Sequence, residues 1–334
     1  MQTFLVDGDN LLTIGFHGLK NYFYKGVHIG GIFHFLNKLR LSFEEYHLDK
    51  IVVFWDDKDG ALSRKKIYSH YKEKRKLKTE EEISSYDYQK NRIKQYLEEI
   101  FVRQGEYPYC ESDDSIAYYT QNSPNEKKII FSSDGDLTQL VSKDTQLYNP
   151  SHKKLYQPKD TFIYKNEEFL IENVKFVKMI CGDSSDDIEG IKNLGIKGFK
   201  TLFPEIVTQT LSLDYIKNKA NYLFEQDKDN RTIKNLLTGV TKYGVFGEEF
   251  FQINNSIINL ENPILTDEAK INIKSLINDS LDPEGRSYKN TMKMMMEDGI
   301  FNVLPKSDDA WIKFLNPFLR LTRKEKNKQI KYKV

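Results

Sequence analysis

The run Glu111-Ser112-Asp113-Asp114-Ser115-Ile116-Ala117-Tyr118-Tyr119 is followed, past a lysine pair, by Ile129-Ile130-Phe131-Ser132-Ser133-Asp134-Gly135-Asp136, and together they decide how the chain is read. Ile129–Phe131 reads as a short buried strand. Asp134 and Asp136 lie just past its carboxyl end, where open α/β sheets place their ligands. The first acidic group opens a helix, whose N-terminus favours negative charge. Five carboxylates, Glu111, Asp113, Asp114, Asp134 and Asp136, would then converge on one rim. Two unit charges about 5 Å apart repel by about 3 kcal/mol at an effective dielectric of about 20, so such a cluster is hard to hold without cations. Carboxylate and water ligands suit Mg²⁺ or Mn²⁺ and not zinc. Either group alone reads more simply as a cap or a turn; the pair, with matching acids elsewhere, points to a site.

Those acids are found by working outward. Phe4-Leu5-Val6 reads as a first strand ending in Asp7-Gly8-Asp9-Asn10, where glycine permits a tight turn. Ile51-Val52-Val53-Phe54-Trp55 reads as a second buried strand ending in Asp56-Asp57. Three strands that each end in aspartate are better explained by a shared site than by three separate turns.

Residues 64–78 hold eight basic residues against one acid. At helical spacing Lys65, Tyr68, Lys72, Arg75 and Lys76 share a face. A basic face interleaved with tyrosines neutralises phosphates while a ring stacks on a base; the plainer reading is a solvated lysine-rich loop. Thr79–Ser85 reads as polar and flexible, and Tyr88–Val102 as an amphipathic helix. Leu137–Val141 suits a short helix, Gln146–Tyr148 a strand and Glu167–Ile180 a helix. In Gly182-Asp183-Ser184-Ser185-Asp186-Asp187-Ile188-Glu189-Gly190 the spacing lets Asp183 and Asp186 share one helical face. Leu194-Gly195-Ile196-Lys197-Gly198 reads as a hairpin joining two short helices. Its glycines let backbone amides reach a phosphate, with Lys197 and Lys200 alongside. Met292–Met296 reads as core filler. The tail from Arg320 carries seven basic residues against one acid, a contact for DNA or a partner, or a solvated end.

At 334 residues the chain is long enough for one large or two modest domains. Its net charge of +1 means that polyanion binding must come from local patches. Two cysteines, Cys110 and Cys181, fit a reducing cytosol and exclude a disulfide framework or a cysteine zinc site. No leader or membrane span is legible, so a soluble, cytoplasmic protein is expected. There is no repeat, Walker loop or dinucleotide fingerprint.

The ordered set of Asp7, Asp56, Glu111-Ser112-Asp113-Asp114, Ser132-Ser133-Asp134-Gly135-Asp136 and Gly182-Asp183-Ser184-Ser185-Asp186-Asp187-Ile188-Glu189-Gly190 resembles the 5′ nuclease superfamily of flap endonucleases and polymerase-associated 5′–3′ exonucleases. The nearest likeness is to its phage-encoded ribonuclease H branch. It extends through Leu137-Thr138-Gln139-Leu140, Pro150-Ser151-His152-Lys153-Lys154 and Arg64…Tyr71-Lys72…Arg75, and covers about residues 3–200.

The resemblance implies an α/β fold: a PIN-like, Rossmann-like nuclease domain with a mostly parallel sheet over 1–180 and a helical arch at about 60–90. A helix–hairpin–helix and a helical C-terminal region would occupy 181–334. It implies one metal site at Asp7, Asp56, Asp113 and Asp134, with Glu111 and Asp114 close by, and a second at Asp136, Asp183 and Asp186. Two Mg²⁺ ions would fill these sites, with Mn²⁺ able to substitute. Lys72 and Arg75 match residues of the arch over the 5′ strand, and Tyr71 the neighbouring aromatic. Residues 182–203, with Gly195, Lys197, Gly198 and Lys200, match the duplex-gripping helix–hairpin–helix, where K⁺ is a candidate ion. Three departures stand out. Asp56 is followed by Asp57, and spacing to Arg64 favours Asp56. Asp9 and Asp187 replace residues that are neutral in the family.

The implied function is a structure-specific 5′–3′ exonuclease, flap endonuclease and ribonuclease H. It would act on branched duplex DNA and RNA–DNA hybrids during phage DNA replication, as a monomer in the host bacterial cytoplasm. A single-stranded-DNA-binding protein and a sliding clamp are candidate partners. A non-catalytic DNA-structure binder and a PIN-type single-strand ribonuclease are the competing readings.

Overall fold

The computed structural model describes residues 1–74, 79–282, 286–307 and 309–331, with side chains described as far as Arg323. Arg75 and Lys76 therefore lie outside the described residues, as do the side chains of the basic tail beyond Arg323. The frame is a six-stranded sheet of β1 (Gln2–Asp7), β4 (Lys50–Trp55), β5 (Arg103–Glu106), β6 (Lys127–Phe131), β7 (Thr145–Asn149) and β8 (Lys154–Tyr156), in the order β5-β4-β1-β6-β7-β8. All pairings are parallel except that of the edge strand β8.

The strands read as unbroken apolar runs because both faces are covered. Alternate residues feed two cores. Leu5, Val52, Phe54 and Ile130 enter one; Phe4, Val6, Val53, Trp55 and Phe131 enter the other. The second core is closed by α1 (Gly8–Gly18), α2 (Gly30–Tyr46) and α4 (Glu80–Glu99), with a small hairpin, β2 (Phe23–Tyr24) and β3 (Val27–His28), between the first two helices. The first core is closed by α5 (Ser112–Asn122) and α6 (Val174–Cys181), then by α7 (Ile196–Leu202), α8 (Leu213–Gln226), α9 (Arg231–Thr238), α10 (Glu248–Ile258) and α11 (Asp267–Asn278).

The last helices do not continue that layer. From α12 (Tyr288–Glu297) and α13 (Ala310–Lys331), Met294, Met295, Phe314, Leu315, Phe318 and Leu321 return to the second core. Asp298, just past α12, accepts hydrogen bonds from Arg92 Nε at 2.7 Å and Tyr96 Oη at 2.8 Å, both on α4. The last helices thus close over the N-terminal α/β layer instead of remaining with the other C-terminal helices. Met294 and Met295 are core as expected, while Met296 is exposed.

Several expectations are corrected. Asp7-Gly8-Asp9-Asn10 is not a free turn: Asp7 caps α1, its Oδ1 accepting from the Asn10 N–H at 3.1 Å. A Cβ at Gly8 would lie 2.5 Å from the Trp55 ring, so close packing selects the glycine. In Thr79–Ser85 all but the first residue is helical, because Thr79 caps α4 and three glutamates fill its first turn. Glu167–Ile180 is not one helix: β9 (Thr161–Tyr164) and β10 (Glu167–Leu170) form a hairpin, a 3₁₀ turn covers Ile171–Asn173, and only Val174–Cys181 is α-helix. The basic run is broken as well. α3 (Ala61–Ile67) ends before Tyr68, and Lys72 has a φ of +53°, so Lys65, Tyr68 and Lys72 share no helical face. No described helix is long and apolar enough to cross a membrane.

Candidate active site

Because β4, β1 and β6 are adjacent and parallel, their carboxyl ends lie side by side. The chain reverses its direction of travel across the sheet at β1, and this switch point is the crevice. A cavity of about 720 Å³ opens there, lined by Asp7, Asp56, Glu111, Asp113 and Asp134, with Lys72 at its wall.

Asp7 is held from two sides: Ser132 Oγ donates to its Oδ2 at 2.9 Å and Ser112 Oγ to its Oδ1 at 3.4 Å. Asp56 Oδ1 accepts from the Ser112 N–H at 2.7 Å. Both members of the pair line the cavity, but Asp57 Oδ2 is taken up by the Tyr109 and Asp59 N–H groups, whereas Asp56 is tied through Ser112 to Asp7. Asp134 Oδ1 accepts from the Asp136 N–H at 2.8 Å. Asp113 Oδ1 is buried and accepts no hydrogen bond. Burial, with Asp56 beside it, pushes the Asp7 carboxyl up to about 8. Burial, then Asp134 and Asp7, raises Asp113 well above the carboxylate range. These groups resist ionisation together, so a divalent cation among them would relieve their repulsion. The orphaned Asp113 oxygen fits such an ion.

A second acidic group adjoins the first. Carboxylate oxygens of Asp136, Asp183 and Asp186 all lie within 4.8 Å of one another. The expected helix carrying Asp183 and Asp186 is absent. Residues 183–188 form a tight turn, with the Asp183 and Ile188 backbones exchanging hydrogen bonds of 2.9 and 2.8 Å. Gly182, at φ +79°, and Gly190 permit it, since a Cβ on Gly190 would lie 2.2 Å from the Cys181 carbonyl carbon.

Lys178, missed in the sequence, reaches from α6 into both groups. It is 2 % exposed, and its Nζ lies 2.6 Å from Asp136 Oδ1, 2.8 Å from Asp183 Oδ2 and 3.6 Å from Asp134 Oδ1. Burial pushes all three carboxyls of the second group up, but against Asp183 the lysine and the Ser185 donors win and hold it well below the usual range. Burial leaves Asp136 raised, to about 7, despite Lys178. A lysine on a buried apolar helix four residues before Gly182-Asp183 was the available signal.

Other expected site residues are placed differently. Asp114 faces away from the cavity, accepting from both Arg64 Nη atoms at 2.5 and 3.1 Å and from the Ile264 N–H at 2.9 Å. Arg64 is 5 % exposed and also donates to Glu111 and to the Ile257 carbonyl, so it is structural, not a DNA contact. Tyr71 is buried, its hydroxyl donating to Glu111 at 2.9 Å, and offers no open ring for stacking. Tyr68 is half-buried beside a small core with Met179 and Ile257. Lys65 is half-buried on α3. Glu111 gathers Arg64, Tyr71 and Lys72, whose Nζ is 2.5 Å away. Burial pushes the Glu111 carboxyl up, but the Lys72 and Arg64 cations, with the Tyr71 hydrogen bond, outweigh it and hold it below its ordinary value.

In the hairpin segment only the second helix forms: Gly195 caps α7, and the residues before it are turns. Gly195, Lys197 and Gly198 are exposed there, while Lys200 pairs with Glu167 at 3.0 Å.

Residues 2–170 match the family model described as the 5′–3′ exonuclease N-terminal, resolvase-like domain. The 5′–3′ exonuclease of Halalkalibacterium halodurans is 30 % identical over 61 % of this chain and 70 % of its own length. That of Mycoplasmopsis pulmonis is 25 % identical over 85 % of this chain and 91 % of its own. Among solved structures, the bacteriophage T5 flap endonuclease in a pseudo-enzyme–product complex with DNA and metal ions superposes with a TM-score of 0.58. At 17 % identity, that match covers 90 % of this chain and all of the other. With its parallel sheet, its rim of aspartates and these relatives, the chain belongs to the 5′–3′ exonuclease family, a family of hydrolases.

Proposed function

We propose that the chain is a structure-specific 5′ nuclease that hydrolyses phosphodiester bonds with two divalent metal ions. The observation that carries this reading is the adjacency of two acidic groups on one rim, one of them with a buried, unpartnered oxygen on Asp113. Asp7, Asp56, Asp113 and Asp134 would hold one ion, and Asp136, Asp183 and Asp186 the other. Glu111, whose partners are Arg64, Tyr71 and Lys72, serves to position Lys72. Asp114 serves the fold. Mg²⁺ is the natural occupant for all-carboxylate sites, with Mn²⁺ as a substitute.

Bound there, the ions supply Lewis-acid activation of a water and stabilisation of the leaving 3′ oxygen. The protein's own contributions are distinct. Ser112 and Ser132 fix Asp7 and Asp56 in place. Lys72 stands at the cavity wall, where its ammonium offsets charge that builds on the phosphate in the transition state. Lys178 keeps the second acidic group partly neutralised before any ion arrives. The exposed Gly195, Lys197 and Gly198 offer a sequence-independent grip on a duplex, with K⁺ as a candidate ion in that turn, and binding there falls steeply with salt.

The biological task we infer is removal of RNA primers and 5′ flaps in phage DNA replication. A Mg²⁺-dependent time course on a 5′-labelled flapped duplex, with a nicked RNA–DNA hybrid and single-stranded RNA alongside, tests it. Short labelled products from the first two, abolished by chelator, are expected. Binding without cleavage, or cleavage of single-stranded RNA alone, would overturn the reading.

A further inference from the structure

We propose that Lys90, anchored by Asp9, is a positioning residue that fixes Asp56 and thereby ties divalent-cation affinity to the seating of α4; the inference rests on the metal-dependent reading above. Asp56 is held at three points. Its N–H donates to Asp9 Oδ2 at 2.8 Å, its carbonyl accepts from Lys90 Nζ at 2.9 Å, and its own Oδ1 accepts from Ser112. Two of these three holds pass through the Asp9–Lys90 pair, which is closed by a 3.1 Å contact between Lys90 Nζ and Asp9 Oδ2.

The pair joins three elements. Asp9 stands on the first turn of α1, Asp56 follows β4, and Lys90 lies midway along α4. Lys90 is itself steered by Glu106 at 3.2 Å and by the face of Trp55, 5.4 Å away. One turn earlier on α4, the Tyr86 hydroxyl lies 3.1 Å from Asp9 Oδ1. Both oxygens of Asp9 are therefore engaged, which gives this carboxylate a supporting place, not a ligand's.

Sign separates positioning from charge. An ammonium beside a cation site repels the cation, so as a bare charge Lys90 weakens metal binding and its removal would strengthen it. As the clamp on Asp56, its removal lets a ligand wander and weakens binding, as loss of an outer-shell partner does, by about tenfold.

Calorimetric titration of Mn²⁺ into the DNA-free full chain distinguishes the two. Lys90→Met is expected to weaken Mn²⁺ binding about tenfold while keeping a cooperative thermal transition, and Lys90→Arg to restore it to within about threefold. Tyr86→Phe, which changes no charge, is expected to weaken binding in the same direction. Unchanged or tighter binding by Lys90→Met would overturn the proposal, and so would a Tyr86→Phe affinity equal to wild type. If the wild-type chain binds no Mn²⁺, the metal-dependent reading itself falls, an outcome that cannot be confused with equal binding by wild type and variants.

Discussion

The ammonium of Lys178 lies 2.8 Å from Asp183 Oδ2, and both side chains are almost fully enclosed. It behaves as a resident cation for the second acidic group. Removing one partner of a buried pair costs about 3–5 kcal/mol, because the other charge is left without compensation. Lys178→Met is therefore expected to lower metal-free stability in urea by about that amount. Added Mg²⁺ is expected to restore more stability to the variant than it gives to wild type. Equal stabilisation of both proteins would show that the lysine and the ion do not compete for the same carboxylates.

Asp134 stands between the two acidic groups, at the cavity and 3.6 Å from Lys178. Asp134→Asn keeps the size of the side chain and removes its charge. Cleavage is expected to fall by about 10³-fold, equivalent to about 4 kcal/mol of transition-state stabilisation, while duplex binding stays within about threefold. Single-turnover rates beside a filter-binding titration make the measurement, and a fully active variant would remove Asp134 from the metal assignment.

Lys72 contacts Glu111 and lies 3.9 Å from Asp186, so its ammonium bridges the cavity wall and the second acidic group. Lys72→Ala is expected to lower turnover by about 10²-fold with little change in the dissociation constant for DNA. If only the slope of binding against salt moved, Lys72 would be a phosphate-positioning contact instead.

The raised carboxyls set a pH dependence for the metal-free chain. Asp7 and Asp136 move from 3.8 to about 8 and about 7, so across pH 5–8 the folded state retains protons that the unfolded state has lost. Stability then falls as pH rises through that window and levels off above about pH 8. Asp183 and Glu111, held low, act oppositely and only at acid pH, where stability drops as they protonate. Thermal melts in chelator are expected to show a decline from pH 5 to pH 8 that saturating Mg²⁺ flattens, since ligands must shed protons to bind it. A melting temperature that rises over this window in chelator would contradict the assignment.

What could be read in the sequence followed from local rules. Parallel strands covered on both faces leave unbroken apolar runs, and aspartates past their ends mark the rim, so Asp7, Asp56, Asp134 and Asp136 were legible, and Asp113 was legible from the helix it opens. The grouping of Asp183 and Asp186 was legible too, although a turn, not a helix, brings them together. Residues whose role is set by distant partners were not. Arg64 sits in a basic run, yet its partners Glu111 and Asp114 are 47 and 50 residues away and draw it into the interior. The β9–β10 hairpin turns on Lys165 and Asn166, with φ of +47° and +66°, and lacks the glycine that would have marked it. Tyr86 was hidden because α4 begins at Glu80, eight residues before the expected start, and Lys90, inside the expected helix, because its partners Asp9 and Asp56 are 81 and 34 residues away.

Parallel pairing between distant strands has a consequence for how the chain is made. Asp7 meets Ser132 only across 125 residues, and Asp183 and Asp186 come from further along still. Contacts of such separation form late and slowly. A nascent chain leaving the ribosome, or a fragment that ends before Asp183, lacks the second acidic group. On the proposed metal assignment, the cutting of nucleic acid waits until the last of these aspartates has been synthesised and folded into place.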